Sequence, residues 1–465
     1  MKDLLVKDTP SHIDKKINLL GWVETKRDHK NIIFLDLRDR TGIVQVVGDT
    51  RLAKVSTEDV IQITGKVKKR PERLINTKIP TGEVEIEMTD IEILSKASPL
   101  PIPINTDGYE IDEEIRLKYR YLDLRRARMT RNLTLRSQTL LFIRNFLHKK
   151  SFIEVETPLL TKTTPEGARD FLVPSRLKKG QFYALPQSPQ QYKQLLMVAG
   201  VERYFQIARC FRDEDPRADR AYGEFTQLDL EMSFVTREDI MALTEKLFTT
   251  LIQEVFPDKK ISQTPWPRLH HADVMKKYGT DKPDLRKDKN DPHELAFSWT
   301  IDFPLFTTQS DEDFFHGSGK AKFAPSHHMF TAPHKEDVAL LNTNPMKVRG
   351  QQYDLVLNGF EVGGGSIRIH TPDIQTKIFD LIGFSKQQQQ QFSHMLEAFH
   401  YGVPPHGGIA PGIDRLLMAI LGEPSVRELI AFPASSGGKT AVMDAPSKAT
   451  DEQLAELGIK LENEK

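Results

Sequence analysis

Residues 203–234 carry a regular alternation of apolar and polar positions, which predicts two strands joined by a charged loop. One face of the second strand is mostly apolar and carries Thr226, Leu228, Leu230, Met232 and Phe234. The opposite face carries Phe225, Gln227, Asp229 and Glu231. Side chains two positions apart share a face of a strand, and carboxylates are rarely buried without a cationic partner. We therefore predict that the second face lines a polar pocket.

The first strand of this pair and the loop after it hold charges that suit an anionic ligand. Arg209 and Arg212 lie in the strand, and Asp213, Glu214 and Asp215 follow them. A guanidinium group donates two parallel hydrogen bonds to a carboxylate or a phosphate. With the carboxylates of the second strand, these arginines predict a site for an anion that also bears an ammonium group, such as an amino acid beside a nucleotide. The alternative is a surface hairpin with ordinary ion pairs.

The first hundred residues predict a small β-barrel. Five short strand patterns recur with turns between them: INLLGWVE, NIIFLDLRD, GIVQVVG, DVIQITGKVKK and EVEIEMTDIEIL. This pattern is typical of a five-stranded OB-fold barrel, which binds single-stranded nucleic acid by aromatic stacking and polar base contacts. Phe34, Gln45 and Glu85 are the candidate base-binding residues, although an ordinary barrel also carries such residues. We assign residues 1–104 to this domain.

The composition fits a chain of two or three domains without disulfide bonds. The 465 residues include 65 Lys+Arg, 65 Asp+Glu and a single cysteine, Cys210. A formal net charge of zero gives no global argument for nucleic acid, so a basic patch would have to be local. The sequence has no run of roughly 18 apolar residues that would predict a membrane span. We expect a cytoplasmic protein with no membrane partner.

A proline-rich stretch, SPLPIPINTDG, follows the barrel and predicts a linker or hinge over residues 105–130. Leu140, Ile143 and Leu147 then recur at helical spacing, and residues 151–160 alternate as a strand. Because Pro158 cannot donate to a β-ladder, this strand is expected to lie at a sheet edge. Such an edge could form a homodimer interface, and the alternative is an ordinary helix and strand.

Further candidate residues lie in two separate segments. Gln190 and Lys193 share a helix face, and Lys193 could neutralise a carboxylate. Asp354 and Glu361 could hold Mg²⁺ at the phosphates of a nucleotide. Their separation of seven positions would place them on opposite faces of an unbroken strand. We therefore predict a β-bulge near Asn358 and Gly359, the residues most prone to a turn.

The motifs of the chain, in this order, resemble those of class II aminoacyl-tRNA synthetases, and most of all the bacterial-type aspartyl-tRNA synthetases. The resemblance spans almost the whole chain and rests on RYLDLRR, TPEGARD, LPQSPQ, QIARCFRDED, RADR, EFTQLD, NGFEVGGGSIRIH and GIDR. It implies an α+β chain with an OB-fold anticodon-binding domain and a class II catalytic domain, an antiparallel sheet flanked by helices. The catalytic domain would span residues 131–445, with a C-terminal extension over 446–465.

The resemblance also implies roles for individual residues in joining L-aspartate to tRNA-Asp with ATP and Mg²⁺. The catalytic residues would be Arg212, Arg415 and Glu361. Aspartate would be bound by Glu166, Gln190, Lys193, Arg212, Asp229, His327 and Arg368. ATP would be bound by Arg212, Asp213, Glu214, Glu361, Gly412, Ile413, Asp414 and Arg415. Mg²⁺ would be held by Asp354 and Glu361, and the anticodon by Phe34, Gln45 and Glu85.

The sequence departs from the family pattern at three places. The loop RADRAYGEFTQ is one residue longer than the usual form, so the nucleotide contacts of residues 221–223 are open. Methionine follows His327 and His328 in SHHMF, which leaves open which histidine contacts aspartate. Bacterial members carry a large inserted domain after KPDLR, whereas here only residues 287–297 separate KPDLR from SWTIDFPLF. We therefore predict a compact variant.

Substrate choice leaves alternatives open. The pair Lys193 and Arg368 favours an aspartate ligand over asparagine, and an asparaginyl-tRNA synthetase is the nearest alternative. A non-catalytic RNA-binding paralogue is a second alternative. His29 resembles the residue of relaxed-specificity members that also charge tRNA-Asn, although an exposed loop histidine is the simpler reading. The expected partners are therefore tRNA-Asp, with tRNA-Asn left open, and a second copy of the chain in a homodimer.

Overall fold

The computed structural model describes residues 4–29, 32–163, 167–310 and 321–462. Its contacts divide the chain into two compact units, Met1–Thr106 and Asp107–Lys465. Within the described residues, no helix combines the length and the apolar composition that a membrane span requires.

The first unit is a closed five-stranded barrel with the order β1-β2-β3-β5-β4. The strands are β1 (Lys16–His29), β2 (Ile32–Asp39), β3 (Gly42–Gly48), β4 (Val60–Lys69) and β5 (Val84–Ser95). Alternate residues of these strands fill the interior, as Ile33, Leu35 and Leu37 do in β2. Short 3₁₀ helices occupy Val6–His12, Thr50–Lys54 and Glu72–Leu74. The predicted five-stranded OB-fold barrel is confirmed.

The second unit surrounds a large sheet with helices. The helices are α1 (Glu113–Lys118), α2 (Arg120–Asp123), α3 (Ala127–His148), α4 (Gln190–Val198), α5 (Arg237–Val255), α6 (His271–Tyr278), α7 (Pro372–Leu381), α8 (Lys386–Gln390), α9 (Ser393–Phe399), α10 (Ile413–Leu421) and α11 (Asp451–Leu457). Short 3₁₀ helices occupy Lys335–Leu341, Pro345–Lys347 and Val426–Leu429. The capped ends follow the sequence: Thr236 and Asp239 form a capping box at the start of α5, and Gly422 ends α10 in a left-handed conformation.

The central sheet has eight strands in the order β12-β14-β17-β18-β19-β10-β9-β6. The strands of the second unit are β6 (Ile153–Glu154), β7 (Leu172–Pro174), β8 (Phe182–Ala184), β9 (Arg203–Arg212), β10 (Gly223–Ser233), β11 (Lys260–Ile261), β12 (Arg268–His270), β13 (Glu294–Leu295), β14 (Phe297–Ile301), β15 (Phe306–Thr308), β16 (Phe323–Pro325), β17 (Gln352–Leu357), β18 (Phe360–Ile367) and β19 (His406–Pro411). The pairs β7-β8, β11-β13 and β15-β16 form small separate sheets. The six strands from β14 to β9 pair antiparallel, while β12 and β6 add parallel edges. The predicted class II architecture is confirmed, with a mixed rather than purely antiparallel sheet.

The hairpin of β9 and β10 is present, but its last predicted residue is not part of it. β10 ends at Ser233, and Phe234 has a φ angle of 59° and is 70% exposed. A left-handed residue ends the extended run and turns the next side chain out of the alternating pattern. The placement of Phe234 on the apolar face was therefore wrong.

The bulge that brings Asp354 and Glu361 together lies in a different place from the one predicted. Asn358 and Gly359 both have positive φ angles and form the tight turn between β17 and β18. The register of the β17–β18 ladder shifts beyond this turn, between Leu355, which pairs with Gly363, and Val356, which pairs with Glu361. Val362 is thus the extra residue. Because of this extra residue, Glu361 faces the same side of the sheet as Asp354 on the neighbouring strand.

The predicted strand over residues 151–160 is reduced to β6, a two-residue strand parallel to β9. Val155 donates one more backbone hydrogen bond to Phe205, at 3.1 Å, and the ladder ends there. The strand does lie at the edge of the sheet, as Pro158 indicated.

The segment predicted as a linker contains α1, α2 and the start of α3, and it packs on the second unit. Arg116 and Arg128 donate to the carboxylate of Glu428 through buried ion pairs. Arg120 donates to the backbone carbonyl oxygens of Arg427, Ile430 and Ala431. Residues 113–128 are therefore fixed to the second unit rather than free.

The short connection near 287–297 is closed by one carboxylate. Glu294 accepts hydrogen bonds from the backbone N–H groups of Lys287 and Asp288 and from the hydroxyl of Ser262. These hydrogen bonds lower the pKa of Glu294. Glu294 thus ties the turn to the start of β13.

Candidate active site

A cavity of about 380 Å³ opens on the face of the central sheet formed by β9, β10, β18 and β19. Helix α4 contributes Gln190 and Lys193, and residues 327–330 form another wall. The volume lies within the range of small-molecule sites. The cavity is lined by many of the residues predicted from sequence: Gln190, Lys193, Arg212, Glu214, Asp229, His327, Glu361, Arg368, Gly412, Asp414 and Arg415.

Two buried cations and two buried carboxylates form the floor of the cavity. Lys193 Nζ donates to Asp229 Oδ1 at 2.6 Å and lies 3.5 Å from Glu231 Oε2. Arg368 donates from Nε and Nη2 to the two carboxylate oxygens of Glu231, at 2.9 and 3.1 Å. None of these four side chains is more than 2% exposed. Buried charges persist only when they are paired, so the four groups hold one another in place.

The two carboxylates of this group differ in their surroundings. Burial raises the pKa of Asp229, and its Oδ2 atom is buried with no hydrogen-bond partner among the described residues. Burial also opposes ionisation of Glu231, but the charges of Arg368 and Lys193 outweigh it and lower its pKa. Glu231 is thus an internal counterion, whereas Asp229 keeps one acceptor for a cationic ligand group.

His327 and His328 both line the cavity, and the ring of His327 is exposed there while His328 is partly buried. Desolvation in the cavity wall and the charges of Arg368, Arg212 and Lys193 lower the pKa of His327 to about 3. Burial likewise lowers the pKa of His328, whose Nε2 accepts from Arg368 Nη1 at 2.6 Å. Both rings are neutral at physiological pH and therefore add hydrogen-bonding atoms to the cavity without adding charge.

Asp354 and Glu361 face the same point of the cavity wall across β17 and β18. A Cβ atom at Gly364, which pairs with Asp354, would lie 3.1 Å from Asp354 Oδ1 and 3.8 Å from Glu361 Oε1. Burial and the charge of Glu361 raise the pKa of Asp354 well above its usual value. Asp354 Oδ1 is buried without a partner among the described residues. Two adjacent carboxylates with an unpaired oxygen are a donor set that suits a hard divalent cation.

Two arginines border the other side of the cavity. Arg212, at the end of β9, lies over the ring of Phe225 at 5.2 Å, and its Nε atom has no hydrogen-bond partner among the described residues. Arg415, in the first turn of α10, donates to the backbone oxygens of Asp219 and Glu361, at 3.1 and 2.8 Å. The two guanidinium groups give this end of the cavity a positive character that suits phosphate.

The remaining predicted nucleotide residues differ in access. Glu214 lines the cavity and pairs with Arg220. Asp213 does not line it and accepts from the hydroxyl of Tyr222 at 3.2 Å. The side chain of Ile413 is in the core, so only its backbone could meet a ligand. Asp414 accepts from Arg136 and from the N–H of Thr226, which fixes α10 to β10. Glu166 lies outside the described residues.

From the sequence, Phe225 and Glu231 were placed on the polar face of β10 without individual roles, and Gln194 and His406 were not singled out. Glu231 shares the face of Asp229, so the alternation of β10 contained its signal. Phe225, on the same face, lies under Arg212. Gln194 and His406 form a buried hydrogen-bond chain with Gln190, and the spacing of Gln190 and Gln194 by one helical turn was the only available sign.

The residues predicted to bind an anticodon lie on the outward face of neighbouring barrel strands, where Gln45 is covered by its neighbours and only 7% exposed. Phe34 lies between the buried residues Ile33 and Leu35 and so faces outward, where the ring of His29 meets it edge-on at 5.7 Å. Gln45 donates to Glu85 at 2.9 Å from the neighbouring strand. Arg27 and Arg70 both donate to Gln45 Oε1, at 3.5 and 3.4 Å. An aromatic ring, polar side chains and two arginines thus share one patch.

Comparison with known proteins follows the division of the chain. Residues 112–436 match the family model "tRNA synthetases class II (D, K and N)", and residues 17–94 match the model "OB-fold nucleic acid binding domain". The chain belongs to the class II tRNA synthetases of the D, K and N group. The resemblance stated from the sequence is thereby confirmed.

Relatives of this class II synthetase extend over nearly its whole length. Aspartate--tRNA(Asp/Asn) ligase from Dictyoglomus turgidum is 42% identical over 97% of this chain and 96% of its own. The protein of the same name from Rubrobacter xylanophilus is 39% identical over 97% and 95%. These alignments run over 581 and 582 positions, more than the 465 residues present here. The relatives therefore carry residues without a counterpart in this synthetase.

Solved structures share the fold of this synthetase at lower identity. Aspartyl tRNA synthetase from Entamoeba histolytica has a TM-score of 0.72 with 23% identity, over 92% of this chain and 90% of its own. Asparaginyl-tRNA synthetase from Pyrococcus horikoshii, solved with asparaginyl-adenylate, has a TM-score of 0.73 with 22% identity, over 92% and 97%. This likeness concerns the fold and does not distinguish the two amino acids.

Proposed function

We propose that this class II synthetase is an aspartate--tRNA ligase, which activates L-aspartate with ATP and transfers it to the 3′ end of tRNA-Asp. The observation that carries the proposal is the buried group of Lys193, Arg368, Asp229 and Glu231 in a cavity whose other end carries Arg212 and Arg415. Relatives at 39–42% identity are named aspartate--tRNA(Asp/Asn) ligases, which supports the same activity. We infer that it acts in the cytoplasm.

The amino-acid end of the site would bind aspartate by charge and by hydrogen bonds. Asp229, through its unpaired Oδ2, would accept from the ammonium group, together with Gln190 and the predicted loop residue Glu166. Lys193 and Arg368 would face the side-chain carboxylate, and His327 lies beside them in the cavity wall. Cations that are themselves buried and fixed reject an uncharged amide strongly, because a lost ionic contact is not replaced by water.

The nucleotide end would hold ATP in line with the aspartate carboxylate. Arg212 would bind the α-phosphate and the α-carboxylate, and Arg415 the γ-phosphate. Secondary nucleotide contacts are proposed for Asp213, Glu214, Gly412, Ile413 and Asp414, with Ile413 limited to its backbone.

The reaction would proceed in two displacements. A carboxylate oxygen of aspartate attacks the α-phosphorus, the bond to the bridging oxygen of the β-phosphate breaks, and pyrophosphate leaves. A terminal ribose hydroxyl of the tRNA then attacks the carbonyl carbon, its proton passes to the departing phosphate, and AMP leaves with the electrons of the broken bond. Alignment and charge neutralisation by Arg212 and Arg415 would supply most of the catalysis.

Mg²⁺ would be held by Asp354 and Glu361, because these residues fit a hard cation. The two carboxylates face one another near Gly364, and Asp354 Oδ1 has no other partner in the described part of the chain. A bound Mg²⁺ would neutralise charge on the ATP phosphates.

The barrel would bind the anticodon through the patch of Phe34, Gln45 and Glu85. His29 touches Phe34, which supports its proposed influence on the choice between tRNA-Asp and tRNA-Asn. Charging both purified tRNAs side by side tests this choice. We expect product with each tRNA, and absence of aspartyl-tRNA-Asn would limit the enzyme to tRNA-Asp.

We further propose a homodimer that uses α3 and the edge strand β6. Arg144 of α3 pairs with Glu154 of β6 at 3.0 Å, so the two elements form one surface. Leu141, Ile153 and Leu160 are 53–60% exposed on and beside these elements. Exposed apolar side chains grouped in this way mark interfaces. In sedimentation experiments, wild type should be a dimer and Leu160→Asp should have a lower mass. A monomeric wild type would contradict the proposal.

Aspartate-dependent exchange of pyrophosphate into ATP tests the activity directly. Wild type should catalyse exchange with aspartate and not with asparagine, and Lys193→Met should lose it. Lys179→Met, on the surface, serves as the control. Exchange with asparagine alone would indicate an asparaginyl enzyme. If folded protein shows no pyrophosphate exchange with any amino acid, the chain is a non-catalytic RNA-binding paralogue.

A further inference from the structure

A chain of buried hydrogen bonds leads from a backbone carbonyl to the amino-acid end of the cavity. His406 Nδ1 lies 2.8 Å from the carbonyl oxygen of Pro404. His406 Nε2 lies 3.2 Å from Gln194 Nε2, and Gln194 Oε1 lies 3.1 Å from Gln190 Nε2. His406 and Gln194 are fully buried, and Gln190 is 6% exposed and lines the cavity.

The first link fixes the tautomer of His406. A carbonyl oxygen only accepts, so Nδ1 must carry the hydrogen that is donated to Pro404. Burial lowers the pKa of His406, so the ring is neutral and Nε2 is left as an acceptor. The backbone of Pro404 thus decides which ring nitrogen faces Gln194.

The second link fixes the amide of Gln194. An acceptor at His406 Nε2 requires a donor opposite it, so the NH₂ group of Gln194 must point toward the ring. Its Oε1 must then point toward Gln190. The reversed amide would place an oxygen against the lone pair of Nε2 inside the protein, where an unsatisfied polar contact is costly.

The third link orients Gln190 in the cavity. Because Gln194 presents an oxygen, Gln190 must turn its NH₂ group toward Gln194 and keep its own Oε1 for the cavity. The carbonyl oxygen is the end of the amide that can accept from an ammonium group. Asp229 Oδ2, also unpaired in the described structure, is the other acceptor of this region.

We propose that Gln194 and His406 are positioning residues that present Gln190 Oε1 to the ammonium group of the amino-acid substrate. The proposal rests on the proposed activation of an α-amino acid at this site. Neither residue needs to touch the substrate. Their effect should therefore appear only with ligands that carry the ammonium group.

Two adenylate mimics that differ only in that group test the relay: 5′-O-sulfamoyladenosine acylated with aspartate, and its des-amino counterpart acylated with succinate. The dissociation constants of both are measured with the full-length protein. Gln194→Met keeps the length of the side chain and removes its polar atoms. We expect it to weaken the aspartyl mimic about tenfold and to leave the succinyl mimic within about twofold.

Two further variants separate positioning from folding. Gln191→Met makes the same change at a neighbouring residue of α4 that is 8% exposed, and it should not weaken one mimic more than the other. His406→Phe removes the acceptor that orients the Gln194 amide and should likewise weaken the aspartyl mimic more than the succinyl mimic. Equal weakening of both mimics by Gln194→Met, or no weakening, would overturn the relay. Wild type that binds neither mimic would instead overturn the proposed function.

Discussion

The ion pair of Arg368 and Glu231 joins two residues that lie 137 positions apart in the chain, and both side chains are at most 2% exposed. Glu231→Gln would remove the charge that Arg368 needs and place an NH₂ group against a guanidinium. Breaking a buried pair in this way typically costs 3–5 kcal/mol, because the remaining charge stays desolvated. We expect a loss of about 3 kcal/mol in the free energy of unfolding, measured by urea titration.

A matched exposed pair provides the control for this change. Arg209 and Glu224 pair on the same hairpin of β9 and β10, but their side chains are 44% and 50% exposed. Glu224→Gln should change the free energy of unfolding by less than about 0.5 kcal/mol. Equal effects of the two substitutions would mean that burial does not set the strength of the inner pair.

The face of a side chain could be predicted from sequence, but its partner could not. Alternation placed Asp229 and Glu231 together, and the structure brings both into one polar group. The alternation could not predict that Arg368 pairs with Glu231, because that contact depends on the order of the strands in the sheet. It also failed at Phe234, where a left-handed backbone ends the alternation.

At the scale of elements, two of the three consecutive glycines of β18 serve different purposes. A Cβ atom at Gly364 would lie 2.9 Å from Nε2 of His327, which lines the cavity, and 3.1 Å from Asp354 Oδ1. One at Gly365 would lie 2.4 Å from the backbone oxygen of Gly408, which cannot move without disturbing β19. Gly364 therefore leaves room in the site, and Gly365 lets two strands approach.

We expect Gly364→Ala and Gly365→Ala to fail in different ways. Gly364→Ala should keep a melting temperature near that of wild type and lose on the order of 100-fold in aspartate-dependent exchange, since the groups it displaces must be precisely placed. Gly365→Ala should unfold at a clearly lower temperature. Thermal unfolding and exchange assays check both, and an active Gly364→Ala would show that the site tolerates a methyl group.

The cluster around Glu428 fixes the 3₁₀ helix Val426–Leu429 to α1 and α3 and should make stability depend on pH. Burial opposes its ionisation, but hydrogen bonds and charges from Arg116 and Arg128 outweigh burial and lower the pKa of Glu428 below 4.5. A lowered folded-state pKa adds stability above the unfolded-state value, and that stability is lost as pH falls through the folded-state value.

Glu428→Gln should therefore lower the free energy of unfolding by about 3 kcal/mol at neutral pH. The difference from wild type should narrow as pH falls from 4.5 through the lower folded-state pKa of Glu428, because the wild-type side chain then also becomes uncharged. Urea titrations of both proteins at several pH values measure it. A gap that is constant with pH would show that the substitution acts through packing instead.

Regular elements were the easiest to predict, and their ends and irregularities the hardest. Alternation and turn residues were sufficient for the five barrel strands and for β9 and β10. The predicted position of the bulge was wrong, because a pair such as Asn358 and Gly359 is typical of both turns and bulges. Here the pair forms the turn, and the bulge lies at Val362. The strand at 151–160 was too long, since hydrogen bonding to β9 stops after Val155.

At the scale of the whole molecule, the family motifs predicted the class II fold and the compact form from sequence. The motifs could not show how the chain is connected at the position where other members carry the inserted domain. That connection depends on Glu294, whose contacts with residues 287 and 288 become visible only in the structure. The division of labour between the two units remains a prediction, and it can be tested in the intact chain.

Phe34→Ala in the full-length protein should separate the two functions. Stacking of a base on an aromatic ring contributes roughly 1–3 kcal/mol, so loss of the ring should weaken tRNA binding by about tenfold or more. Adenylate formation needs only the second unit, so aspartate-dependent exchange should stay at the wild-type rate. Leu94→Ala, a change at a 46%-exposed residue near the far end of β5, should alter neither measurement. If Phe34→Ala leaves tRNA binding intact, the patch of His29, Phe34, Gln45 and Glu85 is not the anticodon site; if it lowers exchange, the barrel influences the chemistry of activation.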